Sequence, residues 1–304
     1  MRKLLAIALG CTLFGQSSKA QYYFYNDKYY ENAVVFEVGV TGGVMNSLTD
    51  LGGKQGIGKN FIKDLRWKTA KASYGLYVAA NYMDKLTLRL EGTFGQVIGY
   101  DSILKNVAAT TSGRYERNLS FKSKISEVQL ALEVHPLMFG NFDDRDPALL
   151  SPYGIIGVGY YSFDPKAKLN GQWYSLQPLR LEGQGFKEYP DRKPYKLNQL
   201  NISTGMGLRY QLSSLLNARL EFVHRILFTD YLDDASTGYV NPALFSNYLS
   251  PNRAAIAQQL FDRKAEITPG DGSKAQDQRG DPKDNDAFFT IQFKIGITLG
   301  RQKR

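Results

Sequence analysis

Phe289-Thr290-Ile291-Gln292-Phe293-Lys294-Ile295-Gly296-Ile297-Thr298-Leu299 alternates without a break: odd positions are apolar, even positions are polar or glycine. Successive side chains of an extended chain point to opposite faces, so the segment predicts a strand with one face in an apolar medium. A soluble sandwich strand alternates in the same way. The choice between sandwich and barrel therefore falls to the number and arrangement of similar segments.

Seven more segments have the pattern, mainly with even positions apolar. The first carries Val34, Phe36, Val38 and Val40, and the second Ala72, Tyr74, Leu76, Val78 and Ala80. The third runs through Leu86, Leu88, Leu90, Gly92 and Phe94 to Ile98 and Tyr100. In the fourth, Phe121 is followed by a change of phase to Val128, Leu130, Leu132 and Val134, which predicts a bulge near Ile125. Ile156, Val158 and Tyr160 mark the fifth; Leu200, Ile202, Met206, Leu208 and Tyr210 the sixth; Leu216, Ala218, Leu220, Phe222, Ile226 and Phe228 the seventh.

Connections 46–70, 101–118, 163–198 and 229–286 are long, 83–85 and 213–215 are tight, and 136–152 is intermediate. An even strand count with alternating long and short connections predicts an all-β fold: an eight-stranded antiparallel transmembrane β-barrel with long extracellular loops and mostly short periplasmic turns. Both termini are then expected to be periplasmic. Within the last loop, 264–286 has little apolar content and is expected to be mobile.

The opposite parity describes the interior. It holds Glu37, Glu91, Glu127, Glu133 and Glu221 against Arg89, Arg209, Arg219, Arg225 and Lys294. Five acids against five bases predict a self-neutralising plug, because buried charges are tolerated only when paired and side chains fill an eight-stranded barrel.

At the start of the chain, Arg2 and Lys3 precede an apolar stretch from Leu4 to Phe14 and small residues at Ser18 and Ala20. This predicts a secretory signal peptide over 1–20, with the barrel domain over 21–304. Cys11, the only cysteine, would leave with it; a lipoprotein reading of Leu9-Gly10-Cys11 is disfavoured by the bulk of Leu9. The formal net charge of +9 suits anionic lipid headgroups or acidic partners, whereas an exported chain does not meet nucleic acid.

Several motifs invite chemistry. Gly53 to Lys59 approximates a phosphate-binding loop, but Asn60 stands where a hydroxyl is needed and no parallel βαβ unit surrounds it, so no nucleotide cofactor is expected. Lys54, Lys59, Lys63, Arg66, Lys68 and Lys71 offer either an ordinary solvated loop or contacts to lipopolysaccharide phosphates. Asp230, Asp233 and Asp234 offer either oxygen ligands for Ca²⁺ or caps and salt bridges in an ordered loop base. With two histidines, His135 at the periplasmic end before Pro136 and His224 at lipid-facing parity, neither is expected at an outer rim beside a nucleophile, and no enzyme is predicted.

The strings TDLGG (49–53), FIKDLRWK (61–68), SPYGIIGVGYYSFDP (151–165), LQPLRLEGQG (176–185) and FTDYLDDASTGYVNP (228–242) together resemble a Bacteroidota family of outer-membrane barrels that includes PorG of the type IX secretion system. They extend over nearly the whole chain beyond residue 20. The resemblance implies a non-enzymatic component of a protein-export apparatus, linked in gliding species to motility, with the periplasmic ring proteins PorK and PorN as partners. Topology would then put the contacts on the periplasmic side. Candidates there are Tyr22, Tyr23 and Tyr25 in the aromatic stretch before the first strand, Asp84 and Lys85, Phe142, Asp143 and Asp144, and Ser213 and Ser214. A stand-alone structural or adhesive barrel is the alternative.

Overall fold

A computed structural model describes residues 29–30, 33–52, 67–111, 113–139, 149–213, 215–299 and 302–303. Eight long strands dominate it: β2 (Val34–Leu48), β3 (Lys71–Tyr82), β4 (Leu86–Tyr100), β5 (Ser120–Val134), β6 (Leu150–Ser162), β9 (Asn198–Gln211), β10 (Leu216–Leu227) and β11 (Ala287–Leu299). The shorter strands are β1 (Tyr29–Tyr30), β7 (Pro165–Leu169), β8 (Gln172–Ser175) and β12 (Gln302–Lys303). The long strands pair antiparallel in the order β4-β3-β2-β11-β10-β9-β6-β5, and β4 also pairs with β5. That last pairing closes the sheet and removes every edge among the eight.

The alternation read from the sequence becomes the two surfaces of the wall. Val38, Leu76, Leu90, Leu130, Val158, Leu208, Leu220 and Ile295 are among the large apolar side chains exposed on the outside. Tyr74, Tyr82 and Tyr160 are also exposed there, and Tyr74 lies 6.0 Å from Phe94. A continuous apolar belt with aromatic side chains towards its margins suits a hydrocarbon layer with interfaces, not water. No described helix is long and apolar enough to cross a membrane, so crossing falls to the strands.

The two ends of the barrel differ sharply. At one, the β3–β4 connection is tight: Met83 and Asp84 both have positive φ, and the Lys85 amide donates to the Tyr82 carbonyl at 3.0 Å, a two-residue hairpin turn. This end also carries the β1–β12 pair, so it is called the terminal end. At the other, the loop end, long connections fold over the opening.

The bulge expected near Ile125 is absent. The β4–β5 register runs unbroken from Leu86 opposite Val134 to Tyr100 opposite Ser120. Phe121 and Ile125 face inward, where they join Met45, Val97, Tyr161, Leu227 and Phe288 in an apolar layer at the loop end of the lumen. The phase change in the sequence thus marks a change in what the interior holds, from charges to hydrocarbon.

The region expected to be mobile, 264–286, is instead folded onto the rest of the cap. The connection 228–286 contains α2 (Phe245–Tyr248) and α3 (Pro251–Leu260), introduced after the short α1 (Arg114–Arg117) of the β4–β5 connection. Phe245, Ala257, Leu260 and Phe261 from this connection pack with Leu176, Leu179, Leu181 and Phe186 from 163–197 in a second apolar core. Within 264–286, the backbone of Tyr239 exchanges hydrogen bonds with Gln276 and Asp277, each 2.9 Å. Arg279 anchors the remainder.

Candidate functional site

The interior below the apolar layer is a network of paired charges. Arg89 is its hub: its Nη1 lies 2.6 Å from Glu221 and also bonds Glu133, while its Nε is 3.0 Å from Glu91. Arg219 bridges Glu133 at 2.6 Å and Glu37 at 2.7 Å. Lys294 closes the circuit, 3.0 Å from Glu221 and in contact with Glu91. Above it, Arg225 lies 3.0 Å from Glu127 and donates to Thr290. The Tyr77 and Tyr153 hydroxyls donate to Glu37 and Glu221, both at 2.5 Å. Glycine makes room for these rings: a Cβ at Gly207 would collide with Tyr153, and one at Gly296 with the Tyr77 hydroxyl and Glu37.

The register explains why these charges need a closed barrel. Arg209, Arg219 and Lys294 are direct neighbours along the wall formed by β9, β10 and β11. Like charges so placed repel. Their compensation comes from Glu221 on β10 itself, from Glu37 on β2 beside β11, and from Glu91 and Glu133 on β4 and β5 across the lumen. Arg209 departs from this scheme by reaching Asp84 of the terminal-end turn at 2.7 Å.

The partner-binding candidates at the terminal end have varied placements. Asp84 is engaged by Arg209, Lys85 sits over the Phe139 ring at 5.9 Å, and the Ser213 hydroxyl accepts from the amides of Leu215 and Leu216. Tyr22, Tyr23, Tyr25, Phe142, Asp143, Asp144 and Ser214 lie outside the described residues. Met83, Leu137, Phe139, Leu149 and Leu215 add exposed apolar surface to this rim.

His135 Nδ1 lies 3.1 Å from the Ser151 hydroxyl, and its Nε2 lies 3.6 Å from Glu133, at the terminal end and not at the loop-end rim. Ser151, on β6, comes next to His135 only through barrel pairing. All three groups are buried, the imidazole stacks on Tyr153 at 4.8 Å, and Glu133 is held by Arg89 and Arg219. His224 lies on the outward face, opposite Thr204 and Phe289, and is largely covered.

At the loop end, carboxylates serve as caps and anchors. Asp233 accepts from the amides of Leu51 at 3.0 Å and Ala235 at 2.9 Å, while Asp286 accepts from Leu232 at 2.8 Å. Asp234 turns away from Asp233, accepting from the Tyr195 hydroxyl at 2.6 Å. Among the described residues, no group of three or more His, Cys, Asp or Glu is arranged to hold a metal ion. The glycine-rich 53–59 segment, with Lys54, Lys59, Lys63 and Arg66, lies outside the described residues. Lys68 is exposed and Lys71 half-buried.

Two arginines that the sequence did not single out hold the cap. Arg117 grips Asp101 through Nε at 2.8 Å and Nη2 at 2.9 Å, and donates to the carbonyls of Asp50 and Arg279. Arg279 binds Glu182 at 3.0 Å and the carbonyls of Asp234 and Phe261, joining the two largest connections. A lone loop arginine has no periodicity to betray it. Burial pushes the carboxyls of this region up: Asp230 to about 9, with Asp233 and Asp50 adding repulsion; Asp234 and Asp50 to about 7; and Asp233 to about 6.

The closed wall, its apolar outer belt and its filled interior define a membrane β-barrel. No protein-family model matches the chain, and no curated protein matches it. Among solved structures, it is similar to Ail, the attachment invasion locus protein of Yersinia pestis, solved with the heparin analogue sucrose octasulfate, at 8% identity over 90% of this chain and 100% of that one, with a TM-score of 0.35. Neisserial surface protein A matches at 8% identity over 86% and 96% of the two chains, TM-score 0.38. The outer membrane protein OprG from Pseudomonas aeruginosa matches at 13% over 86% and 95%, TM-score 0.35. Such distant likeness carries no functional argument.

Proposed function

We propose that this chain is a non-enzymatic outer-membrane β-barrel that anchors a periplasmic assembly of the type IX secretion system, the ring of PorK and PorN. In this reading the terminal end faces the periplasm and the loop end the cell exterior. The observation that carries it is the lumen: Arg89, Arg219 and Lys294 with Glu37, Glu91, Glu133 and Glu221 fill the cross-section with mutually paired charges. An occupied interior suits an anchor and opposes a pore. The strings that resemble the PorG-like family support the choice of apparatus, and the exposed apolar rim at the terminal end supports docking on that side.

A second reading, a stand-alone structural or adhesive barrel, is favoured by one observation, the folded loop-end cap with its own apolar core. Purification of the tagged barrel from detergent-solubilised outer membranes of its host, with partners identified by mass spectrometry, separates the two. Co-purification of PorK and PorN is the expected result. Recovery of the barrel alone, with intact ring proteins in the same extract, would overturn it in favour of the second reading.

A further inference from the structure

Outside the lumen and the cap core, one charged patch has no role in either. On β5 the outward face is apolar from Val134 to Val128, then changes at Lys124 and Lys122. Lys124 lies four residues beyond Val128, about 13 Å along a strand rising about 3.3 Å per residue. The sheet then extends sideways, because β7 pairs with β5 and β8 with β7. Lys122 is the direct cross-strand partner of Lys166, and Lys168 that of Trp173. Ala167 and Tyr174, on the other face of this hairpin, pack into the cap core, so Lys166, Lys168 and Trp173 share the outward side with Lys122.

The arrangement gathers like charges on one face, which a bound anion would stabilise. Lys122 and Lys166 are like charges opposite each other on one ladder, a destabilising pair. Among the described residues, Lys166 of this patch pairs with Asp164 at 3.0 Å, and Asp164 also accepts from the Ser175 hydroxyl, so its charge is shared. On the β4 side the register partners of Lys124 and Lys122 are Gln96 and Ile98, which bring no negative charge. Trp173 is 46% exposed, with the Lys122 ammonium 3.7 Å from its ring, an amphipathic pairing suited to a membrane interface.

We propose that the outward face of β5, β7 and β8, centred on Lys122, Lys124, Lys166 and Lys168, binds the phosphate groups of a phosphorylated glycolipid of the lipid A type whose acyl chains lie against Val128, Leu130 and Leu132. Continuity with the apolar belt argues for an amphiphile over a soluble anion: the same strand face offers hydrocarbon contact below and cationic contact above. The phosphate chemistry rests on the patch; the choice of lipid A rests on the reading that the loop end lies at the cell exterior.

The test is native mass spectrometry of the full barrel in a neutral detergent, titrated with bisphosphorylated lipid A, enzymatically dephosphorylated lipid A and phosphatidylglycerol. The wild-type protein is expected to retain bisphosphorylated lipid A and not the dephosphorylated form. The quadruple variant Lys122→Gln, Lys124→Gln, Lys166→Gln, Lys168→Gln should lose at least about tenfold in affinity, since it removes the four cations that would face the phosphates. Equal retention by the variant, or equal binding of the dephosphorylated lipid, overturns the proposal. Tighter binding of phosphatidylglycerol than of lipid A at this patch overturns the choice of glycolipid. If the variant does not fold, as judged by circular dichroism, the three-lipid comparison on the wild-type barrel still decides. Ring co-purification plays no part in any arm, so failure here is distinct from failure of the anchor reading.

Discussion

The lumen and the loop-end cap are both buried interiors, yet they are stabilised by opposite means. Below the apolar layer of Met45, Val97, Phe121, Ile125 and Phe288, the space is filled by ion pairs around Arg89; above, the cap has a second apolar core and is pinned by Arg117 and Arg279. The wall supplies its own outer apolar contact to lipid, so the lumen is free to be polar provided every charge is matched. The cap stands clear of the belt and must bury hydrocarbon to fold. The difference teaches that inward-facing polarity in this chain reports on depth along the barrel, not on solvent access.

The comparison breaks most directly at the hub. Arg89→Ala leaves Glu91, Glu133 and Glu221 without their shared cation, and a buried pair broken from one side costs about 3–5 kcal/mol. We expect a large drop in the urea midpoint of the folded barrel in detergent micelles; an unchanged midpoint would mean that the lumen charges are not load-sharing.

Arg279→Met tests the cap separately. It removes the buried pair with Glu182 and two carbonyl contacts, so local opening of 228–286 should become easier by about 3 kcal/mol. Limited proteolysis should cut this connection faster while the barrel midpoint stays within error. A matching fall of the barrel midpoint would show that cap and wall unfold as one unit.

The cap should also respond to pH. Asp50, Asp230, Asp233 and Asp234 have raised folded-state pKa values, from about 6 to about 9, against an ordinary value of 3.8. Between those values the folded state holds protons that the unfolded state has lost, so stability falls as pH rises above about 4 and the cost is complete only beyond the folded values. Hydrogen exchange of the cap amides, corrected for intrinsic rates, should therefore show weaker protection at pH 8 than at pH 5. Protection that strengthens with pH would refute this assignment.

The smallest effect is expected at the terminal end. Arg209→Ala breaks the pair with Asp84, whose side chain is 24% exposed and can be rehydrated, so a loss of about 1 kcal/mol is expected in the same urea titration. A loss as large as that of Arg89→Ala would place Arg209 within the lumen circuit rather than at its edge.

Much of the architecture was legible before any coordinates. Period-two alternation located all eight wall strands because a membrane barrel writes its two environments directly into alternate residues, as in Phe289 to Leu299. The same rule misread Phe121: its phase change comes from an apolar inner layer, which requires knowing that Met45, Tyr161 and Phe288 arrive at the same height. The segment 264–286 looked unfolded because its composition is polar, yet Arg279 ties it to Glu182, nearly a hundred residues away in the chain. His135 and Ser151 were likewise separated by a connection whose length said nothing of their pairing.

By itself the sequence determined which residues of the outer belt face outward, the number of wall strands, and the balance of five acids and five bases inside, since these depend on local periodicity and composition. Only the tertiary structure decided which charge meets which. Arg209, Arg219 and Lys294 stand side by side on one wall and would repel there; Glu37 arrives from the adjoining β2, and closure of β4 onto β5 brings Glu91, Glu133 and Asp84 within reach of them. Pair energies fall off within a few ångströms in a way that no spacing along the chain encodes. The cap clasp and the outward lysine patch are likewise products of strands and loops meeting across long separations.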